Sequence, residues 1–83
     1  MQIKVLKSIL SFAEKAPIAS VVVAGERIDF ETTIRDKSTK ERETISGSSD
    51  YDVNEQDGIL QVMDDKGHYF LGIESINAIQ MIL

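Results

Sequence analysis

Apolar residues recur at three- and four-residue spacing near the start of the chain: Ile3, Leu6, Ile9, Leu10, Ala13 and Ala16. Lys4, Lys7, Ser8, Ser11 and Lys15 fall mostly between them. This period predicts an amphipathic helix over residues 3 to 16. Pro17 closes it, because the residue before a proline is pushed out of the helical region. Val5 and Phe12 widen the stripe, which is expected to pack on a sheet. A short strand over residues 2 to 6 is the competing reading.

The period then changes. Ile18 to Ala24 is a near-continuous, valine-rich run, the pattern of a buried strand. Gly25-Glu26 follows in the order of a two-residue type II′ turn. Ile28, Phe30, Thr32 and Ile34 alternate with Asp29, Glu31, Thr33 and Arg35, so one face is expected to be buried and one wet. After the polar turn at Asp36-Lys37-Ser38-Thr39, residues 40 to 46 carry one large apolar residue, Ile45, and suit a charged edge strand. Gly47-Ser48-Ser49-Asp50 breaks the pattern. Residues 50 to 57 are acidic, with Tyr51 and Val53 as their apolar members, and are expected to form a long loop. Two apolar runs then flank Asp64-Asp65-Lys66-Gly67, the pattern of a hairpin.

The end of the chain is ambiguous. Ile73, Ile76, Ile79 and Ile82 suit a helix by spacing, whereas isoleucine itself favours a strand through its branched side chain. The expectation is a tight turn at Glu74-Ser75-Ile76 and then a terminal strand. The whole is an α+β domain: an N-terminal helix, then a small five-stranded antiparallel sheet or barrel. The Asp64–Gly67 hairpin turn, and Glu74-Ser75-Ile76 before the last strand, resemble the corresponding parts of SH3-like and Sm-like barrels. The resemblance is architectural. It implies a small twisted barrel and carries no functional residue with it, since such folds host many unrelated functions.

At 83 residues the chain is expected to form one domain, residues 1–83. There is no Cys and no Trp, so disulfides and thiolate metal sites are excluded. No apolar run reaches the roughly eighteen residues of a membrane span. The apolar stretch at Ile9 to Ala13 is interrupted by Glu14-Lys15 before it could serve as a signal peptide. A cytoplasmic protein is expected. The net charge is −5. Arg35, Lys37, Lys40 and Arg42 form the tightest basic group and are interleaved with Asp36, Glu41 and Glu43, which disfavours nucleic-acid binding.

Candidate chemistry is sparse. His68 is the only histidine, and no second ligand of its kind accompanies it. Asp50, Asp52 and Asn54 have the first spacings of a calcium loop, but the sixth position is Glu55 instead of Gly and the twelfth is Gln61 instead of Glu. The glycines form no phosphate-binding motif. Asp64-Asp65 suits a turn better than an acid–base couple. The expectation is therefore a protein without catalytic residues, metal or cofactor. It would act by protein–protein contact as an adaptor, subunit or inhibitor, on a partner with a basic surface. The expected contact residues are Asp50, Tyr51, Asp52, Glu55 and Asp57, with Tyr51 as the anchor. Two alternatives stand beside it. One is a phage or mobile-element inhibitor that blocks a nucleic-acid-binding surface of a host protein. The other is a small-barrel oligonucleotide-binding protein. The apolar helix face is the alternative anchor, for self-association into a homo-oligomer.

Overall fold

The structure, a computed structural model describing residues 1–83, contains one helix, eight strands and one 3-10 turn. The helix α1 spans Ile3–Phe12. Leu6 is fully buried on its inner side, and Ile3 and Leu10 pack beside it against the core. The helix ends about one turn earlier than its apolar period suggests. Ala13 still donates its N–H to Ile9, but Lys15 takes a left-handed φ of 63° ahead of Pro17. Val5 and Phe12 do not widen the buried stripe: they are 45 % and 84 % exposed. No side chain caps the helix. Its approach is fixed by the Met1 ammonium, which donates to the carbonyls of Ile73, Glu74 and Ile76 at 3.2, 3.1 and 2.9 Å.

The strands are β1 (Ile18–Val23), β2 (Glu26–Asp29), β3 (Glu31–Arg35), β4 (Arg42–Ser46), β5 (Asp50–Asn54), β6 (Ile59–Asp64), β7 (Gly67–Gly72) and β8 (Ile76–Met81). They form three antiparallel sheets, ordered β2-β1-β8, β3-β4 and β5-β6-β7. Eight strands stand where five were expected: the charged run at residues 40 to 46 does form a strand, β4, and two further differences add one each. The run from Glu26 to Arg35 is broken at Phe30, whose side chain is buried. Its N–H goes to Ala19, and its carbonyl accepts from Gly47. The expected acidic loop is in part a strand: β5 pairs with β6 over its full length, from Asp50↔Met63 to Asn54↔Ile59.

Between β4 and β5 the chain bends at Gly47-Ser48-Ser49. Gly47 has φ +118°, and a Cβ there would lie 2.9 Å from Pro17 Cβ and 3.1 Å from Ile82 Cδ1. Only glycine meets both demands. The β1–β2 turn is also shifted from expectation. Its two residues are Ala24 and Gly25, both with positive φ (50° and 81°), the pattern of a type I′ turn. Ser75 O and Asn77 Oδ1 receive the N–H groups of Ala24 and Gly25.

The C-terminal ambiguity resolves in favour of the strand. Ile73–Ser75 forms the 3-10 turn, and β8 pairs with β1. A register shift between Val22↔Ala78 and Val23↔Ile76 changes the phase of the strand. Ile76 is therefore buried while Ala78, two residues further along the strand, is exposed.

The core joins Leu6 to Ile18, Val21, Phe30, Leu60, Val62, Leu71, Ile73 and Ile76. Phe30 meets Tyr69 edge-on, with centroids 5.2 Å apart. Outside this core lies the β3–β4 ribbon, in which every residue from Thr33 to Ser46 is exposed. Ile34, expected on the buried face, is 45 % exposed because the ribbon has run past the body. The molecule accordingly measures 43 × 24 × 20 Å with a radius of gyration of 13.4 Å, against about 12 Å for a compact chain of this length.

Candidate interaction face

Strand alternation divides the expected contact residues between two faces. Asp50 and Asp52 are exposed on the outer face of the β5-β6-β7 sheet. Tyr51 and Val53 point the other way and pack against the core. Tyr51 sits across from the fully buried Val62. Burial, helped by the Asp50 carboxylate, raises the pKa of its phenol above the usual tyrosine value. Tyr51 thus lines a groove with Lys7, Leu10 and Ser11 of α1 instead of standing beside the aspartates.

The other two residues are engaged within the chain. Glu55 pairs with Lys7 at 2.6 Å, both side chains about half exposed, so the pair contributes at most about 1 kcal/mol. Asp57 and Asn54 exchange hydrogen bonds across the β5–β6 turn, at 3.0 and 3.1 Å. The calcium-like spacing loses its meaning in this geometry. In a strand, Asp50, Asp52 and Asn54 follow one another at about 7 Å intervals along one face, so they cannot converge on one ion. No group of three His, Cys, Asp or Glu side chains in the structure is placed to hold a metal.

What the fold does assemble is two rungs across three strands. Asp52, Gln61 and Phe70 lie side by side, as do Asp50, Met63 and His68. His68 Nε2 lies 2.9 Å from Gln61 Oε1, and its ring stacks on Phe70 with centroids 4.5 Å apart and planes 17° apart. Phe70 nevertheless remains 63 % exposed. It belongs to β7, whose other side pairs with no strand. The face therefore runs from a carboxylate row on β5, through Gln61 and Met63, to an aromatic edge on β7. Phe70 is the member that the sequence pattern did not single out, and His68 stood out there only as a lone histidine, not as a contact residue. The run Tyr69-Phe70-Leu71 is uniformly apolar, and only period-two alternation from the buried Leu71 marks Phe70 as outward.

No helix of the structure is long and apolar enough to cross a membrane. Comparison with family models, with curated proteins and with solved structures finds no match to this chain.

Proposed function

We propose that this protein is a non-enzymatic docking module whose protein partner binds the outer face of the β5-β6-β7 sheet. The observation that carries the reading is Phe70: a large aromatic side chain, 63 % exposed, held by stacking on His68 at the end of a rung that begins with Asp52. An aromatic anchor with a polar surround is how binding energy concentrates in protein interfaces. Asp50 and Asp52 favour a partner with cationic groups beside an apolar pocket, and they act more on encounter rate and selectivity than on raw affinity. Tyr51 gives up the anchor role to Phe70. The module would serve as an adaptor, subunit or inhibitor in the cytoplasm.

The scaffold we propose for it is a small SH3-like or Sm-like barrel. In its support, backbone hydrogen bonds join one sheet to the next, from Phe30 to Ala19, Ser48 to Ile18 and Asp65 to Glu31. Mimicry of nucleic acid by a phage-type inhibitor draws less support, since the carboxylate row stops after two residues, at Asn54. The test is capture of the native partner by the tagged protein, repeated with Phe70→Ala combined with Asp52→Lys. Both positions are exposed, so the variant should melt like the parent and lose the partner. Undiminished capture by the folded variant would overturn the reading.

A further inference from the structure

The β3–β4 arm sorts its charges by face. In sequence, residues 35 to 43 interleave cations with anions, except at Lys37 and Lys40. Four cations and three anions leave this outer stretch at +1; Glu31, at the base of the arm on the Arg35 side of β3, brings the whole arm to zero, and the rest of the chain carries the net −5. Pairing separates what the sequence interleaves. The register sets Arg35 directly across from Arg42, with Thr33 across from Thr44 one rung inward on the same face. Glu43 lies across from Ile34, and Ile45 across from Thr32, so the acid and the apolar residues share the opposite face. Asp36 is turned into the loop, where its Oδ1 accepts from Ser38 N–H at 2.8 Å, Ser38 Oγ at 2.6 Å and Thr39 N–H at 3.4 Å.

The four cations have no ion-pair partner. The chain's ion pairs are Lys7–Glu55, Arg27–Asp29 and Lys66–Glu31. Like charges directly opposite in a ladder are unfavourable, and no carboxylate of the arm relieves Arg35 and Arg42. A shallow concavity at the tip is lined by Arg35, Asp36, Lys37 and Lys40, with no apolar residue among them. At the inner end, the Asp65 carboxylate accepts the Thr33 hydroxyl and marks where the cationic surface stops.

From this arrangement we infer that the Arg35–Arg42 face of the arm binds the phosphate backbone of duplex DNA. Guanidinium groups match phosphate with paired N–H donors, and backbone contacts of this kind come chiefly from Arg and Lys. A protein partner fits less well, because this face offers no apolar anchor of the kind that protein interfaces are built around. A two-stranded ribbon is also of a size that a major groove about 12 Å wide admits. The acidic body repels a polyanion. The arm projects away from it, however, and charges more than about 8 Å away are largely screened at physiological salt. Contact is thus confined to the outer arm, and binding is weak and steeply salt-dependent. The surface is separate from the Phe70 face, and either can fail without the other.

The experiment is fluorescence anisotropy of the full chain with a labelled duplex of about 20 base pairs over a salt series. Labelled polyglutamate is the second probe. The duplex should bind at about 0.1 M salt, where a Debye length of about 10 Å still screens the acidic body. Arg35→Gln combined with Arg42→Gln should weaken binding at least about tenfold and flatten the slope of log K against log salt by about two, near 0.9 for each phosphate that is no longer neutralised. Lys37→Gln combined with Lys40→Gln should weaken it as well. Arg27→Gln, on the body, should bind like the parent. The arginine variant should melt no lower than the parent, because it removes a like-charge pair. Absence of duplex binding at about 0.1 M salt, an unchanged salt slope in the arginine variant, or polyglutamate binding as tightly as the duplex would each overturn the inference.

Discussion

Ile18 and Ser48 exchange two hydrogen bonds: Ile18 N–H donates to Ser48 Oγ at 3.0 Å, and Ser48 N–H donates to the Ile18 carbonyl at 2.9 Å. Ser48 is 8 % exposed and Ile18 fully buried, so the bend between β4 and β5 is fastened to the first residue of β1 where water cannot substitute. Ser48→Ala leaves the Ile18 N–H without a partner and should cost about 1–3 kcal/mol. In a domain of this size that lowers the melting temperature by about 4–8 °C per kcal/mol. A melt unchanged within error would show that the bend is held otherwise.

Gly47, beside it, should be the least replaceable glycine. Gly47→Ala forces a left-handed residue, at about 1–3 kcal/mol, and adds a clash with Pro17 Cβ at 2.9 Å. Gly58 also has positive φ, at +66°, but faces open space. Denaturant titration should therefore rank Gly47→Ala well below Gly58→Ala in stability, and equal losses would contradict the close approach.

Phe30 and Ile34 lie on the same alternating run but should behave oppositely. Phe30→Ala removes a core ring that is 2 % exposed and should cost about 3–5 kcal/mol, most of the stability of so small a domain. Ile34→Ala, out on the arm, should change stability by less than about 0.5 kcal/mol. Comparable losses in the two variants would mean that the arm packs on the body.

Acid should weaken the fold through Asp36 and Asp65. Hydrogen bonds from Ser38, and then Thr39, hold the Asp36 carboxyl below its ordinary value of 3.8. Hydrogen bonds involving Thr33 do the same for Asp65. A group whose folded pKa is depressed contributes stability above its unfolded pKa and loses it as pH falls through the folded one. Melting temperatures should thus decline below about pH 4, and less so in Asp36→Asn combined with Asp65→Asn. Lys66, held above 10.5 chiefly by its hydrogen bond to Glu31, behaves in the opposite sense. Its contribution is complete below its unfolded pKa and fades as pH rises through the folded value. A parallel acid limb in parent and variant would remove the two aspartates from the explanation.

Calcium should leave the melting temperature where it is. A site filled at a hundred times its dissociation constant would raise stability by about 2.7 kcal/mol. A shift of that size on adding calcium, reversed by chelator, would show that Asp50, Asp52 and Asn54 do converge in solution.

Much of the fold was legible because it follows from local period. The helix shows in Leu6 and Leu10, β1 in its valines, and β8 in isoleucines that a strand accommodates better than a helix. The β6–β7 turn was legible too: Asp64 Oδ1 accepts the N–H groups of Lys66 and Gly67, as the Asp-Asp-Lys-Gly order suggests. What stayed hidden depends on partners distant in sequence. Tyr51 and Val53 alternate with aspartates over only a few residues, and the surrounding charge obscured a strand that β6 completes. The break at Phe30 requires Ala19 and Gly47. The Arg35–Arg42 face requires a register, since composition alone shows cations cancelled by anions. For the candidate face, the aspartates were visible in sequence, whereas Phe70 needed the neighbour strand to show which way it points.

β1 has its two neighbours at opposite ends of the sequence: β2 follows it at once, while β8 lies at residues 76 to 81. Translation makes that separation a delay. At about 5–20 residues per second, the ribosome needs on the order of several seconds to pass from Val23 to Ile76. During that time one side of the most apolar strand has no native partner, and Met1 lacks the carbonyls that anchor the helix. The core can be completed only after residues 76 to 81 clear the exit tunnel, since Ile76 belongs to it and β8 covers β1. A nascent chain halted before Ile76 should remain open to protease, whereas one extended far enough to release Met81 should become resistant.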